Sequence, residues 1–220
     1  MPPADPRPLL PAPRSGLPRP GRAFYTRETT EVAQALLGQL LVRLLPDGSR
    51  LAGLIIETEA YLGPLDRAAH TYGGRRTPRN DAMWQRGGTC YVYFTYGLHH
   101  CMNIVTRDEQ HPQAVLLRAL QPVEGLAMMH RHRTANHTKP KRDTDLCSGP
   151  AKLCQALAID RTLNTDDLCT GKALWVEQAR ARRLPARRIA TGPRIGIGYA
   201  GDWVNKPLRY WVKDNPHVSA

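Results

Sequence analysis

Between Leu40 and Tyr61 the chain carries a complete hairpin signal, and that signal narrows the possible folds more than any other stretch. Leu40–Leu45 reads as a strand, Pro46-Asp47-Gly48-Ser49 as a tight turn, and Leu51–Tyr61 (LAGLIIETEAY) as the return strand. A second strand–turn–strand follows at Thr89–Thr95, a turn over Tyr96-Gly97-Leu98-His99-His100, and Cys101–Thr106. Another strand is expected over Ala114–Leu120, with short ones over 173–176 and 209–213. Helices are expected over Thr30–Leu37, stopped by Gly38, from Pro122 through Met129, and over Leu153–Leu157. Hairpins outnumber any alternation of strand, helix and parallel strand. The expected fold class is therefore α+β, a single compact domain around a mainly antiparallel sheet.

The ends and linkers read differently. Eight of the 19 prolines fall in the first 22 residues, with Arg7, Arg14, Arg19 and Arg22 among them. Proline fixes φ and removes a backbone donor, so residues 1–22 are expected to be a mobile arm and residues 23–220 the folded domain. Pro2 could in principle offer a secondary amine as a nucleophile, but a floppy arm positions it poorly, and a solvated tail is the expectation. The arm resembles neither a signal nor a transit peptide, and no apolar run is long enough to span a membrane. A polar loop fills Gly63–Gly88, and residues 130–142 (HRHRTANHTKPKR) form a basic loop.

Charge adds a partner class. The 31 lysines and arginines exceed the 19 acids by 12, and clustered positive charge releases counterions from phosphate backbones. Five cysteines, odd in number and without a C-x-x-C pair, point to reduced thiols rather than a disulfide framework. His99, His100 and Cys101 are read as turn residues and not as a metal site, since three adjacent side chains rarely converge on one ion.

The sharpest chemical signal is Leu54-Ile55-Ile56-Glu57-Thr58-Glu59-Ala60-Tyr61. Strand alternation puts Glu57, Glu59 and Tyr61 on one face. Two carboxylates there either pair with arginines at a sheet edge or do catalytic work, and spacing alone does not choose between the glutamates. Arg118, inside an apolar strand, requires an acidic partner and would find one in these glutamates. Tyr91, Tyr93, Phe94 and Tyr96 make an aromatic stripe; ordinary strand packing explains most of it. A tip exposing Tyr96 and Leu98 would suit a wedge entering DNA from the minor groove. Asn103, flanked by Met102 and Ile104, is either a satisfied core amide or a reader of a base edge.

Together these blocks resemble a known family. Glu57-Thr58-Glu59-Ala60-Tyr61-Leu62-Gly63-Pro64, Ala68-Ala69-His70, Thr77-Pro78-Arg79-Asn80, Tyr91-Val92-Tyr93, Cys101-Met102-Asn103-Ile104, Leu117-Arg118-Ala119, Cys147-Ser148-Gly149-Pro150 and Arg194-Ile195-Gly196-Ile197-Gly198 are similar, in order, to the mammalian-type alkyladenine (3-methyladenine) DNA glycosylases. The resemblance runs from about Phe24 to Ser219. It implies a protruding, DNA-inserting β-hairpin on the mixed fold. It implies Glu59 as the catalytic glutamate that activates a water, and Arg118 as the group holding that water and glutamate. Tyr61, His70 and Tyr93 would wall the pocket for a flipped base. Asn103 would crowd the 2-amino group of guanine, and Tyr96, with Leu98 beside it, would fill the vacated stack. The sequence departs from the family at the tip, where Leu98, His99 and His100 replace bulkier Met and aromatic residues.

The implied reaction is hydrolysis of the N-glycosidic bond of 3-methyladenine, 7-methylguanine and, further out, hypoxanthine or ethenoadenine. Because no lysine has a claim as a Schiff-base nucleophile, a monofunctional enzyme is expected, without cofactor or metal and with Arg118 keeping Glu59 anionic. Its partner would be double-stranded DNA carrying a damaged purine, and it would act as a monomer. The compartment would be the cytoplasm or nucleoid of a prokaryote or the nucleus of a eukaryote, and the protein would not be secreted. The rival readings are a non-catalytic binder of distorted DNA or structured RNA, and a structural nucleoprotein subunit held by charge alone.

Overall fold

Strand β2 (Arg50–Tyr61) organises the molecule because almost nothing in it is exposed: residues 51–60 are buried on both faces. Burying a Leu or Ile side chain stabilises by about 1.5–3 kcal/mol, so a strand carrying Leu51, Leu54, Ile55 and Ile56 belongs at the centre of a sheet. In this computed structural model, which describes residues 10, 16–95, 97–135 and 142–219, that is where it lies.

Two short helices, α1 (Arg22–Tyr25) and α2 (Thr29–Leu36), lead into β1 (Leu40–Leu44), which pairs antiparallel with the first half of β2. Gly38, at φ +80°, ends α2 as expected and donates to Ile55 O at 2.7 Å. The turn between the strands is held by Leu45 N to Ser49 O at 2.8 Å. Three 3-10 turns, Gly63–Leu65, Tyr72–Gly74 and Asp81–Trp84, shape the long loop after β2. Then come β3 (Cys90–Thr95), β4 (His99–Thr106), β5 (Gln113–Glu124), α3 (Leu126–Ala135), α4 (Pro150–Ala156), β6 (Leu174–Glu177), β7 (Ile189–Gly192) and β8 (Arg209–Val212).

One curled antiparallel sheet of eight strands runs β3-β4-β5-β2-β1-β6. β5 covers one edge of β2 from Ala52 to Tyr61. The opposite edge is shared: β1 takes residues up to Leu54 and β8 takes Glu57–Glu59. β7 pairs with β8 beyond it. Helix α2 packs on β2, and α4 lies against β4 and β5. The α+β expectation therefore holds.

Several local expectations do not. Pro122 does not begin a helix; it lies inside β5 opposite Gly53, at a register shift where a missing donor is tolerated. Gly53 itself allows the close approach, since a Cβ there would meet Leu120 Cβ at 2.9 Å. The break comes at Gly125, φ +79°, and α3 follows it. Residues 130–135, expected as loop, belong to α3, whereas 136–141 lie outside the described residues. His99 and His100 are strand residues of β4, and His100 contacts the Phe94 ring at 5.1 Å between centroids. The α4 helix begins three residues before the expected one, with Pro150 in its first turn.

The arm is not loose where it is described. Leu10 is buried and exchanges two hydrogen bonds with the Gln121 side chain, at 3.0 and 2.8 Å. Gln178 N donates to Pro18 O at 2.8 Å, Arg19 lies over the Trp175 ring at 4.2 Å, and Arg22 pairs with Asp167 at 2.5 Å. Hydrogen bonding, a cation–π contact and an ion pair hold residues 18–22 to the domain; Pro2 and its neighbours lie outside the described residues. All five cysteines are free thiols. No described helix is long and apolar enough to cross a membrane.

Candidate active site

The two glutamates singled out in β2 are both fully buried, yet their neighbours differ. Glu57 accepts from Arg118 Nε at 3.1 Å, Arg209 Nη1 at 3.2 Å, Ser219 N at 2.7 Å and Ser219 Oγ at 2.9 Å. Four donors saturate it. Glu59 accepts from Ile195 N at 2.8 Å and from the Tyr61 hydroxyl at 2.9 Å, and pairs with Arg118 Nη1 at 3.2 Å. Each of these three residues lines a cavity of about 240 Å³, and Glu59 lies directly behind that wall. Sequence alternation placed both carboxylates; it carried no information about which one cavity-lining residues enclose.

A bulge explains how one arginine reaches both acids. In the pairing of β2 with β5, Glu57 stands opposite Ala119 and Thr58 opposite Leu117, so Arg118 has no partner in the register. Such bulges bend a strand and re-aim a side chain. Here the guanidinium turns across β2, with Nε on Glu57 and Nη1 on Glu59.

Burial pushes the Glu59 carboxyl above the usual glutamate range. Arg118, the Ile195 amide and the Tyr61 hydroxyl pull it back, while the charge of Glu57 raises it further. Arg118 is thus the strongest of the influences that favour the ionised carboxylate, and it acts against burial. Burial, followed by the charge of Glu59, also holds the Tyr61 phenol well above its ordinary value, so it remains a donor.

The cavity is lined by Tyr61, His70, Tyr91, Tyr93, Asn103 and Arg118, together with Arg79, Met83, Cys101, Ile195 and Tyr199. Every pocket residue expected from the sequence is present. His70 and Tyr93 meet edge to face with centroids 4.6 Å apart, and His70 Nδ1 shares a 2.8 Å hydrogen bond with the Tyr91 hydroxyl. Burial, aided by Arg79 and Arg75, lowers the His70 imidazole to about 4, so it is neutral near pH 7. Asn103 donates to Tyr91 O at 3.3 Å. The pocket walls are thus largely aromatic, with the Arg79 guanidinium 5.3 Å from the Tyr93 ring centre and the Arg118–Glu59 pair at the inner end.

A part whose role sequence reasoning missed holds Tyr61 and Ile195 in place. Arg194 is completely buried, forms a bidentate pair with Asp66 at 2.6 and 2.8 Å, and donates to Ala60 O at 2.9 Å. Its guanidinium sits 4.6 Å from the Tyr61 ring centre, and the next residue supplies the amide that holds Glu59. Asp66 also accepts from the backbone amides of Leu62 and Ala68, each at 3.0 Å, which folds the loop after β2 beside the cavity. Arg194 belonged to a recognisable block, but a backbone amide leaves no trace in side-chain chemistry.

At the hairpin tip Gly97 has φ +68° and Leu98 is 76% exposed, outside the cavity lining. Tyr96 lies outside the described residues. Among the described residues no group of three or more His, Cys, Asp or Glu side chains is arranged for a metal ion.

A carboxylate buried behind an aromatic cavity, beside an exposed hairpin, suits an enzyme that draws a base out of DNA and works on its sugar bond. Comparison with known proteins agrees. Residues 23–216 match the family model described as methylpurine-DNA glycosylase (MPG). The chain is 45% identical over 212 residues to the DNA-3-methyladenine glycosylase of Homo sapiens, covering 94% of this chain and 70% of that protein. It is 46% identical over 205 residues to the Mus musculus enzyme of the same name, covering 91% of this chain and 61% of that one. A putative 3-methyladenine DNA glycosylase of Desulfitobacterium hafniense (strain Y51) is 44% identical over 204 residues, with 91% and 98% covered. The family match and these relatives make the chain a DNA glycosylase, an enzyme of DNA repair. The chain belongs to the methylpurine-DNA glycosylase family.

Proposed function

We propose that this protein is a monofunctional, monomeric glycosylase that flips alkylated purines out of duplex DNA and hydrolyses their N-glycosidic bond with a water activated by Glu59. The observation that carries this reading is the Glu59 carboxylate, held by Tyr61, Arg118 and Ile195 behind an aromatic cavity. A damaged base, weakly stacked or paired, costs least to extrude. Between Tyr61, His70, Tyr91 and Tyr93, a cationic ring such as 3-methyladenine or 7-methylguanine gains attraction from the π faces.

As the C1′–N bond breaks, its electron pair leaves with the base and the sugar becomes oxocarbenium-like. The ionised Glu59 stabilises that cation and takes a proton from the water whose oxygen bonds to C1′. Alkylated bases leave readily, so a strong acid is unnecessary. Among the described residues no lysine lines the cavity, which supports release of free base and an abasic site without a Schiff base. Asn103, in the pocket wall, would crowd the 2-amino group of normal guanine. Tyr96 and Leu98 would occupy the gap left in the duplex. The net charge of +12 favours a DNA strand along the surface.

The test is incubation with duplexes carrying 3-methyladenine, hypoxanthine or ethenoadenine, followed by separation of free base. Release of 3-methyladenine supports the reading. Tight binding to damaged duplex without release of any base would assign the scaffold to a non-catalytic binder instead.

A further inference from the structure

We infer that Ser219 is a positioning residue for base excision, acting with Glu57 as a clamp that aims Arg118 at Glu59. The inference rests on the catalytic reading of Glu59 above. Arg118 engages its surroundings through all three guanidinium nitrogens: Nε to Glu57 at 3.1 Å, Nη2 to Ser219 Oγ at 3.3 Å, and Nη1 to Glu59 at 3.2 Å. Two of the three thus face the clamp and only one the candidate base. Ser219 closes the clamp, because its hydroxyl accepts from Arg118 while donating to Glu57 Oε1 at 2.9 Å, and its amide donates to Glu57 Oε2 at 2.7 Å.

The segment after β8 is itself anchored. Asn215 Nδ2 donates to Gln121 Oε1 of β5 at 2.8 Å, and its side-chain oxygen Oδ1 accepts from the His217 amide at 3.0 Å. This carries Ser219 to the far side of Arg118, and the residue is buried there. A guanidinium released from the clamp would lose its fixed direction, and misplacement of about 1 Å near reacting groups costs up to about a hundredfold in rate.

The charged and titratable groups facing this cluster are Glu57 and Tyr61 from β2, Arg118 from β5, Cys101 from β4, Arg209 from β8 and Arg194 from the loop before β8. With Arg118 loosened, Glu59 would keep its burial and the repulsion of Glu57 but lose part of its main counterweight. Its ionisation would then move to higher pH.

The experiment is single-turnover excision at saturating enzyme across a pH series, with damaged-duplex affinity and melting temperature measured alongside. Ser219→Ala should lower the saturated rate by about tenfold, move the acid limb of the profile to higher pH and leave affinity unchanged. Ser219→Thr, which keeps the hydroxyl, should restore both rate and profile. In an Arg118→Met background, Ser219→Ala should cost nothing further. An unchanged rate and profile in Ser219→Ala overturns the inference, as does the same loss with and without Arg118, which would mark a merely structural role. Failure of the wild-type protein to release any base would instead remove the catalytic reading on which the inference stands.

Discussion

The inner end of the cavity and the tip of the β3–β4 hairpin are built to opposite specifications, although one short sheet carries both. At the inner end Glu57, Glu59 and Arg118 are buried, joined by ion pairs, and enclosed by strands β5 and β8. At the tip, Phe94 and Leu98 are exposed, with β3 ending at Thr95 and β4 starting at His99 on either side of Gly97. Chemistry that depends on a fixed charge calls for the first environment. A wedge that enters a yielding duplex needs only the second. Changes at the inner end should therefore act on the bond-breaking step, and changes at the tip on extrusion of the base.

Four perturbations test that division, beginning with the most damaging. Glu59→Gln keeps the shape but removes the base and the charge. It should lower single-turnover excision by about 100- to 10,000-fold while damaged-duplex binding survives. Tyr61→Phe removes the hydroxyl that donates to Glu59 at 2.9 Å. A hydrogen bond to a charged group contributes about 1.5–3 kcal/mol. Excision should fall by about tenfold with the acid limb displaced to higher pH, as a rate–pH series would show.

Leu98→Ala at the tip should cost less, about tenfold at most on a fully paired lesion. The loss should shrink when the lesion faces a mismatched partner, because extrusion is already cheap there. An equal loss on both substrates would break the contrast. The smallest effect concerns pH. Since the His70 imidazole is lowered to about 4 by burial, it stays neutral above that value. His70→Gln should therefore leave the shape of the excision profile between about pH 5 and 8 unchanged, whatever it does to the amplitude. A limb that vanishes with this substitution would mean that His70 titrates during the reaction.

The sequence made some of this arrangement legible and hid the rest for physical reasons. Hairpin punctuation at Pro46–Ser49 and the two-residue period of β2 placed Glu57, Glu59 and Tyr61 correctly, because both are local signals. Pro122 misled, since a proline reads as a helix start until a bulge opposite Gly53 gives it a place in a strand. β7 was not expected: it is four residues long, and its sheet partner β8 lies well downstream in sequence. In the site, side chains of unusual type in apolar strands, Arg118 and Asn103, announced themselves. The choice between Glu57 and Glu59 did not, because it depends on Ser219 and Arg209 filling one carboxylate from more than 150 residues away. The Ile195 amide was hidden for the same reason, 136 residues from the carboxylate it binds.

The central claim is that Glu59 is a buried carboxylate held ready to act as a base by Arg118. Its most direct test is to titrate that carboxyl by carbon NMR in protein labelled at glutamate Cδ, assigned through Glu59→Gln, and to overlay the single-turnover excision rate on the same pH axis. The account predicts that Glu59 titrates above the ordinary glutamate range, that excision rises with its ionised fraction, and that Arg118→Met moves both curves together to higher pH. A Glu59 that titrates at or below the ordinary value, or a rate indifferent to its ionisation, would contradict it.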